Sequence, residues 1–196
     1  MEKIRWGVLG TAGIARDCSI PGMQKAENCE RYGIAGRSLK KAEDYKDMFG
    51  FEKAYEGYEA LLSDPKVQAV YIPLPNNLHY EWVKKAIAAG KHVLCEKAFT
   101  VNEAQARRVT AMAREKGLLL AEAIWTRYMP ARGMIADIIA SGEIGEPRFL
   151  SANLAYDVEH KERISQPELA GGALLDVGVC PLNFASMVFG NDIVRV

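Results

Sequence analysis

The sequence predicts an α/β protein: a Rossmann-type, doubly wound parallel sheet followed by an incomplete second α+β domain. In the first part, short apolar runs alternate with longer stretches of helical period, as in consecutive βαβ units. The first run, Ile4 to Leu9, leads directly into the turn Gly10 to Ala15. After Ala123 the alternation stops. We therefore divide the chain into residues 1–123 and residues 124–196.

The expected strands of the first part are short, apolar and bounded by turn-forming or charged residues, as buried parallel strands usually are. They are Ile4–Leu9, Tyr32–Ala35, Val67–Pro73, His92–Cys95 and Leu118–Ala121. Each is followed by a stretch rich in helix-forming residues. This order predicts a parallel sheet with helices on both faces.

Helix ends are marked by glycine, which adopts a left-handed backbone at low cost. The glycines that follow helical stretches are Gly50, Gly90, Gly117, Gly142 and Gly190. Thr100 to Glu103 reads as a capping box for the helix that ends near Lys116. Pro21 predicts a break in the first helical stretch, with Ser19 or Ile20 as the boundary.

The second part begins with an expected helix from about Pro130 to Ser141 and continues with a strand, Arg148 to Tyr156. A loop and a helix follow, and Asp192 to Val196 reads as another strand just begun. Strands with open edges do not make a stable sheet alone. We therefore expect this domain to be present only in part, in a chain truncated at its carboxyl end.

Composition excludes several classes of protein. The chain has 25 Lys plus Arg against 25 Asp plus Glu and is 49% hydrophobic, so we expect a globular protein with no nucleic-acid partner. No apolar targeting segment follows Met1, and no run approaches the roughly 18 apolar residues of a membrane span. We expect a cytoplasmic protein without membrane contact. Cys18, Cys29, Cys95 and Cys180 lack Cys-x-x-Cys spacing, which predicts reduced thiols and no metal site.

The turn after the first strand has the pattern Gly10-x-Ala12-x-x-Ala15. In the related G-x-G-x-x-G pattern, bare backbone lets a pyrophosphate approach amides at a helix N-terminus. The second glycine is alanine here, while Gly13 adds flexibility. The residues that we expect to contact a dinucleotide are Gly10, Thr11, Ala12, Gly13, Ile14 and Ala15. An ordinary strand-to-helix turn is the alternative.

The end of the second strand indicates which dinucleotide would bind. An NAD site typically places Asp or Glu there, against the ribose hydroxyl, whereas this chain has Arg37 and Ser38. An arginine and a hydroxyl suit a 2′-phosphate, so we expect NADP rather than NAD. The alternative is that Arg37 is a solvated loop cation.

Lys97 follows a run that reads as a buried strand, Lys91 to Glu96. In an open parallel sheet, ligands lie outside the carboxyl ends of the strands, so a cation at one strand end can meet a nucleotide held at another. The sequence therefore predicts an amine beside a nicotinamide. A lysine that merely caps a strand end is the structural alternative.

Four segments together resemble the Gfo/Idh/MocA oxidoreductases, which pair a Rossmann domain with a C-terminal mixed-sheet domain. They are Gly7–Ala12, Pro73–His79, Cys95–Lys97 and Gly171–Gly178. Within that family, the segments Glu122–Tyr128 and Gly171–Pro181 are most similar to the dimeric dihydrodiol and D-xylose dehydrogenases, which use NADP. The resemblance implies a homo-oligomer for the full-length form.

The resemblance also implies roles for individual residues. Lys97 would be the catalytic acid or base, and Asp176 would orient the substrate or pair with Lys97; an N-terminal helix cap is the alternative for Asp176. The further residues implied to contact the cofactor are Pro75, Asn76, Asn77, His79, Glu96 and Lys97. Those implied to contact the substrate are Trp125, Arg127, Asp176 and Cys180. Trp125 is equally compatible with packing between domains, and the asparagines with helix capping.

Two positions depart from the family pattern. Cys180 stands where relatives have histidine or tyrosine, and a thiol is a weaker donor with less reach. Ala98 stands where proline usually follows Glu-Lys. Because a cis bond before a non-proline residue costs about 2.5–4 kcal/mol, we expect a trans bond there and a displaced Lys97 ammonium.

The function expected from these observations is that of an NADP-dependent oxidoreductase. It would transfer hydride between nicotinamide and a CH–OH carbon of a sugar-like or trans-diol substrate. The alternative is a catalytically impaired NADP-binding module or fragment. A third possibility, an interaction domain without cofactor, predicts no NADP binding.

Overall fold

The computed structural model describes residues 2–158 and 160–195. The chain separates into two compact units, Met1–Ala123 and Ile124–Val196.

The first unit is built on a six-stranded sheet with the order β3-β2-β1-β4-β5-β6. The strands are β1 Ile4–Leu9, β2 Cys29–Gly36, β3 Lys53–Glu56, β4 Ala69–Ile72, β5 His92–Cys95 and β6 Leu120–Glu122. Every neighbouring pair is parallel. The order reverses between β1 and β4, and a crevice opens at such a point outside the carboxyl ends of the strands. The predicted fold class is confirmed.

Helices connect the strands on both faces of the sheet. They are α1 Ile20–Lys25, α2 Leu39–Phe49, α3 Tyr58–Ser63, α4 Asn76–Ala88 and α5 Glu103–Glu115. Successive residues of β1 face opposite ways, as in any strand: Val8 belongs to the apolar cluster with Ile20 of α1, and Leu9 to the cluster with Val83 of α4. The core is therefore divided into two layers by the sheet.

The sequence pattern does not predict one of the strands, and it predicts one helix N-cap at the wrong residue. β3 has a lysine and a glutamate at its two ends, none of its residues is fully buried, and it lies at the edge of the sheet, so it lacks the apolar run of a central strand. The N-cap of α5 is Asn102, whose side chain accepts the amide of Gln105, two residues later than the predicted cap at Thr100. Thr100 instead donates its hydroxyl to the carbonyl of Asn102.

Pro21 lies in the first turn of α1, directly after a π-helical turn, Ala15–Ser19. The boundary between the two helical segments is therefore at Ser19, as predicted. The chain stays helical across it, however, because the π-helical turn leads directly into α1. The predicted left-handed glycines Gly50 and Gly142 follow their helices with φ of 69° and 75°.

A polar cluster at the amino-terminal side of the sheet joins strands and loops. Asp64, which follows α3, accepts the hydroxyls of Tyr55 (2.7 Å) and Tyr32 (3.1 Å) and the ammonium of Lys53 (3.0 Å) on one carboxylate oxygen. Lys91, which precedes β5, donates its buried ammonium to the carbonyls of Asp64 and Val67, both at 2.7 Å.

The second unit is helical over the residues that the structure describes. Its helices are α6 Pro130–Ser141, α7 Glu162–Ser165 and α8 Val179–Phe189, the last preceded by a π-helical turn, Leu174–Gly178. The strand predicted at Arg148–Tyr156 is wrong, because these residues have no pairing partner and form no strand. The same holds for residues 192–195, while Val196 lies outside the described residues.

The helical stretch Pro167–Phe189 has a mean hydropathy of 1.5 over its most apolar window, so its length and composition would allow it to cross a membrane. The expectation that no run approaches a membrane span rested on uninterrupted apolar residues, whereas this stretch contains Glu168 and Asp176 among its apolar residues. One such helix is weak evidence for a membrane protein.

Candidate functional site

A cleft of about 370 Å³ opens in the first unit at the carboxyl ends of β1, β2 and β4. Its lining residues come from the loops after those strands, from the helices that follow them and from the start of the helix after β3. They are Gly10, Thr11, Ala12, Arg37, Ser38, Lys41, Tyr58, Pro73, Leu74, Pro75 and Leu78. The cleft therefore lies at the reversal of strand order, where parallel α/β sheets bind ligands.

The backbone of the turn after β1 is held by two hydrogen bonds. The amide of Gly10 donates to the carbonyl of Ala35 at 2.8 Å, and the Tyr45 hydroxyl donates to the carbonyl of Thr11 at 3.1 Å. Gly10 has a φ of +122°, which side chains rarely allow, and a Cβ there would lie 3.1 Å from Leu74 Cδ2. Bare backbone at Gly10 thus keeps the floor of the cleft open.

The predicted residues of this turn divide into two groups. Gly10, Thr11 and Ala12 line the cleft. Ala15 does not, because it is fully buried against Ile20 and packs the helical turn on the sheet. Gly13 and Ile14 are exposed at the start of that turn, and Gly13 does not have the positive φ of a flexible hinge.

Arg37, Ser38 and Lys41 form the cationic side of the cleft. Ser38 is the N-cap residue of α2, but its hydroxyl makes no capping bond there, so it can serve a ligand. Gly36 allows this close arrangement, since a Cβ would lie 3.1 Å from the Ser38 carbonyl oxygen. Two cations and a hydroxyl at a helix N-terminus make a site for an anion such as phosphate.

The sequence did not single out Lys41 or Tyr58. Lys41 lies in the first turn of α2, three residues after Ser38, and that spacing from the predicted strand end could have indicated it. Tyr58, at the start of α3, is buried and follows the missed strand β3. Burial raises its pKa, which Arg37 opposes by its positive charge. Its role at the cleft needed the sheet order to be known.

His79 is buried and does not reach the cleft as a hydrogen-bond donor. Its Nδ1 lies 2.7 Å from the carbonyl oxygen of Ala98 and its Nε2 2.7 Å from that of Leu74. Burial lowers the pKa of the ring, and these carbonyls, which only accept, oppose that shift. The expected cofactor contact by His79 is therefore corrected: the ring joins the loops after β4 and β5.

The rest of the loop after β4 is arranged around the start of α4. Pro75 lines the cleft and is the N-cap residue of the helix. Asn76 and Asn77 are therefore its first helical residues rather than caps; Asn76 is buried and Asn77 exposed.

Lys97 lies two residues beyond the end of β5, in a loop rather than in the strand. Its amide donates to Glu96 Oε2 at 3.2 Å. The peptide bond between Lys97 and Ala98 is cis, so the expectation of a trans bond is wrong. That expectation used only the local preference of the chain, whereas Ala98 is buried and its carbonyl contacts His79.

The same loop is fixed by two carboxylates, through contacts that the sequence pattern did not indicate. Glu122, at the end of β6, accepts the amide of Phe99 at 2.9 Å. Glu96 accepts the hydroxyl of Tyr71 at 2.6 Å, and Tyr71 accepts that of Ser19 at 2.7 Å. The carboxyl ends of β4, β5 and β6 are thereby tied together.

The remaining predicted residues belong to the second unit. Trp125 is 64% exposed, and Arg127 donates to the side chains of Asn183 and Ser186 on α8. Asp176 lies inside the π-helical turn rather than at a helix cap, so the capping alternative is wrong. It accepts a hydrogen bond from Arg163 at 3.1 Å. Cys180, in the first turn of α8, is partly buried.

Comparison with known proteins follows the same division. Residues 4–123 match an oxidoreductase family with an NAD-binding Rossmann fold. Residues 134–196 match the GFO/IDH/MocA C-terminal domain.

Two relatives are similar to this protein over nearly the whole chain. A trans-1,2-dihydrobenzene-1,2-diol dehydrogenase of Mus musculus is 38% identical, over 95% of this chain and 56% of that protein. A dTDP-3,4-didehydro-2,6-dideoxy-alpha-D-glucose 3-reductase of Actinomadura kijaniata is 41% identical, over 98% of this chain and 58% of that protein. The chain spans less than two thirds of the length of these relatives.

A solved structure shares the fold. It is a 3-ketoreductase from Actinomadura kijaniata in complex with NADP and TDP-benzene, 38% identical, with a TM-score of 0.83 over 96% of this chain and 58% of that one. Taken with the Rossmann sheet and the cleft at its strand ends, these matches show that the chain belongs to the Gfo/Idh/MocA oxidoreductase family.

Proposed function

We propose that this protein is an NADP-dependent oxidoreductase that transfers hydride between nicotinamide and a CH–OH carbon of a sugar-like or trans-diol substrate. The observation that carries the proposal is the cleft after β1, β2 and β4. It combines a turn of bare backbone with the cations Arg37 and Lys41. The relatives named as a diol dehydrogenase and a sugar 3-reductase support the substrate class.

The cleft fits a dinucleotide in two respects. A Cβ at Gly10 would press on Leu74, so the turn depends on the open backbone that a pyrophosphate needs. Gly10, Thr11 and Ala12 would hold the pyrophosphate, while Arg37, Ser38 and Lys41 would hold a 2′-phosphate. No acidic side chain lines the described cleft to pair with a free ribose 2′-hydroxyl, which favours NADP over NAD.

At the other end of the cofactor, the loops after β4 and β5 would hold the ribose and the nicotinamide. Pro75, Asn76, Asn77 and Glu96 belong to these loops. When bound, the nicotinamide of NADP would accept hydride from the substrate, and that of NADPH would donate hydride to it. Lys97 would take or return the hydroxyl proton of the substrate. Trp125, Arg127, Asp176 and Cys180 would contribute contacts to the substrate.

The test combines binding and turnover. Calorimetry should give a lower dissociation constant for NADP than for NAD. Equal affinity, or a preference for NAD, would remove the NADP assignment. Absorbance of the reduced cofactor should then rise with NADP and one of a panel of aldoses and trans-diols. Lys97→Met, which keeps the length of the side chain but carries no proton to transfer, should abolish turnover while leaving NADP bound.

Cys180 favours a second candidate, an NADP-binding module that does not catalyse. A thiol is a weak donor and shorter than the phenol or imidazole expected at that position. NADP binding without turnover on any substrate would support this module. If the Cys180→Tyr variant then turned over a substrate, Cys180 would be the cause of the missing activity. The expected homo-oligomer and cytoplasmic location stay predictions, which size-exclusion chromatography and cell fractionation would check.

A further inference from the structure

Ser19, Tyr71 and Glu96 form a chain of hydrogen bonds at the carboxyl ends of β4 and β5. Ser19 Oγ lies 2.7 Å from Tyr71 Oη, which lies 2.6 Å from Glu96 Oε1. An ionised carboxylate can only accept, so the Tyr71 hydroxyl donates to Glu96 and accepts from Ser19. The chemistry of the three groups therefore fixes the direction of the chain.

Tyr71 is held rigidly by its surroundings. Its side chain is fully buried in the apolar cluster that contains Ala15, the first residue of the π-helical turn, and Ile20, the residue that follows the turn. Burial is the main cause that raises the pKa of Tyr71, and the nearby charge of Glu96 is the second. The phenol therefore keeps its proton throughout the ordinary pH range and remains a donor to the carboxylate.

Glu96 connects this chain to Lys97. While one carboxylate oxygen accepts from Tyr71, the other accepts the amide of Lys97 at 3.2 Å. The amide of Glu96 itself donates to the carbonyl of Ile72, the last residue of β4, at 3.0 Å. The backbone from which the Lys97 side chain departs is thus fastened to β4 at two points, and the side-chain fastening passes through Tyr71.

We propose that Tyr71 is a positioning residue: through Glu96 it fixes the backbone of Lys97 relative to the helical turn that follows the dinucleotide-binding turn. Ser19 holds the Tyr71 hydroxyl in place from that helical turn. The structural part of this inference stands on the hydrogen bonds alone. Its consequence for the nicotinamide rests on the proposed function.

The first test needs no cofactor. Hydrogen exchange of the Lys97 amide is measured in the wild type, in Tyr71→Phe and in a matched control, Tyr32→Phe. Tyr32 is also a buried tyrosine whose hydroxyl donates to a carboxylate, that of Asp64, far from Lys97 in the sheet. Tyr71→Phe should speed exchange at Lys97 by about tenfold, the loss of one hydrogen bond, and Ser19→Ala by less.

Exchange at Val93, in the centre of β5, separates a local effect from general destabilisation. The Val93 amide should exchange at the same rate in Tyr71→Phe as in Tyr32→Phe, because neither substitution is expected to disturb the centre of β5. An unchanged rate at Lys97 in Tyr71→Phe, or an equal acceleration in both phenylalanine variants, would overturn the proposal.

The second test uses NADPH and separates this inference from the proposed function. Tyr71→Phe should alter the fluorescence of the bound nicotinamide while the dissociation constant changes by less than about threefold, because the phosphates bind at Gly10 to Ala12 and at Arg37. Unchanged emission would remove the link to the nicotinamide. If the wild type does not bind NADPH, the proposed function fails, while exchange at Lys97 still decides the role of Tyr71.

Discussion

The Nε2 atom of His79 lies 2.7 Å from the carbonyl oxygen of Leu74, which places a buried imidazole between the cleft after β1, β2 and β4 and the Lys97 loop. Since Nδ1 is equally close to the carbonyl oxygen of Ala98, the ring bridges two loops that come from neighbouring strands. Loops usually hold functional residues in place by their attachment to a rigid scaffold. Here one side chain supplies much of that attachment.

Replacing His79 with phenylalanine should destabilise the first unit. Phenylalanine is also aromatic but has no N–H to donate, so the carbonyl of Leu74 or Ala98 that accepts the ring N–H loses its donor, and an unsatisfied buried acceptor costs about 1–3 kcal/mol. Urea denaturation should therefore show a loss of about 1–3 kcal/mol in the free energy of unfolding. His160→Phe, at an exposed position, is the control and should change stability little; equal effects would contradict the bridging role.

Asp64→Asn should make stability less sensitive to acid. Burial acts to raise the pKa of Asp64, but hydrogen bonds from the Lys66 amide, Tyr55, Lys53 and Tyr32 outweigh it and hold the pKa well below its usual range. A carboxyl whose pKa is lowered by folding stabilises the fold above its unfolded pKa, about 3.9, and loses that contribution as the pH falls.

The measurement is the free energy of unfolding of wild type and Asp64→Asn at pH 7 and at pH 3. Wild type should be more stable at pH 7, and the difference should shrink at pH 3. Asp44→Asn, an exposed carboxylate on α2, should show no such convergence. A constant difference for Asp64→Asn at both pH values would count against this interpretation.

Lys41→Ala should weaken the binding of NADP by about fivefold to tenfold and leave that of NAD unchanged. The reason is that Lys41 is expected to contact only the 2′-phosphate, and one partly solvated charge-assisted hydrogen bond contributes on the order of 1 kcal/mol. Lys40→Ala removes the neighbouring charge, which does not line the cleft. A comparable loss in both variants would mean that only the general charge of α2 matters.

Gly10→Ala should greatly reduce cofactor affinity, because the methyl would both strain a φ of +122° and press on Leu74. Gly22→Ala provides the opposite case: it lies in α1, where a Cβ meets nothing within 4 Å, so stability should rise by about 0.5–1 kcal/mol. Calorimetry with NADP and thermal unfolding check both variants. If Gly10→Ala binds NADP as tightly as the wild type, then cofactor binding does not depend on the absence of a side chain at residue 10.

The sequence predicts the sheet well where strands are apolar and buried. Hydrophobic runs identify β1 and β5 with their ends intact. The same rule misses β3, a four-residue edge strand with a lysine and a glutamate at its ends. It also places a strand at Arg148–Tyr156, because alternation within a segment says nothing about whether a partner strand is present to accept its hydrogen bonds.

For the candidate site, the sequence indicates the residues of the cleft that belong to motifs, such as Gly10 and Arg37. It does not distinguish residues that face the cleft from those that support it, and His79 belongs to the second group. Tyr71 gives no signal either, since within an apolar run it reads as an ordinary core residue. Its hydroxyl gains meaning only when Ser19 and Glu96 are brought together in three dimensions.

The ammonium of Lys91, enclosed between the carbonyls of Asp64 and Val67, has a consequence for chemical labelling. Burial lowers the pKa of this amine, which raises the fraction of it that is unprotonated and able to react, but an acylating reagent cannot approach it while those two carbonyls hold it. Acylation of Lys91 should therefore lag behind that of the exposed lysines on α2. Its rate would report how often the amino-terminal end of β5 separates from the loop before β4.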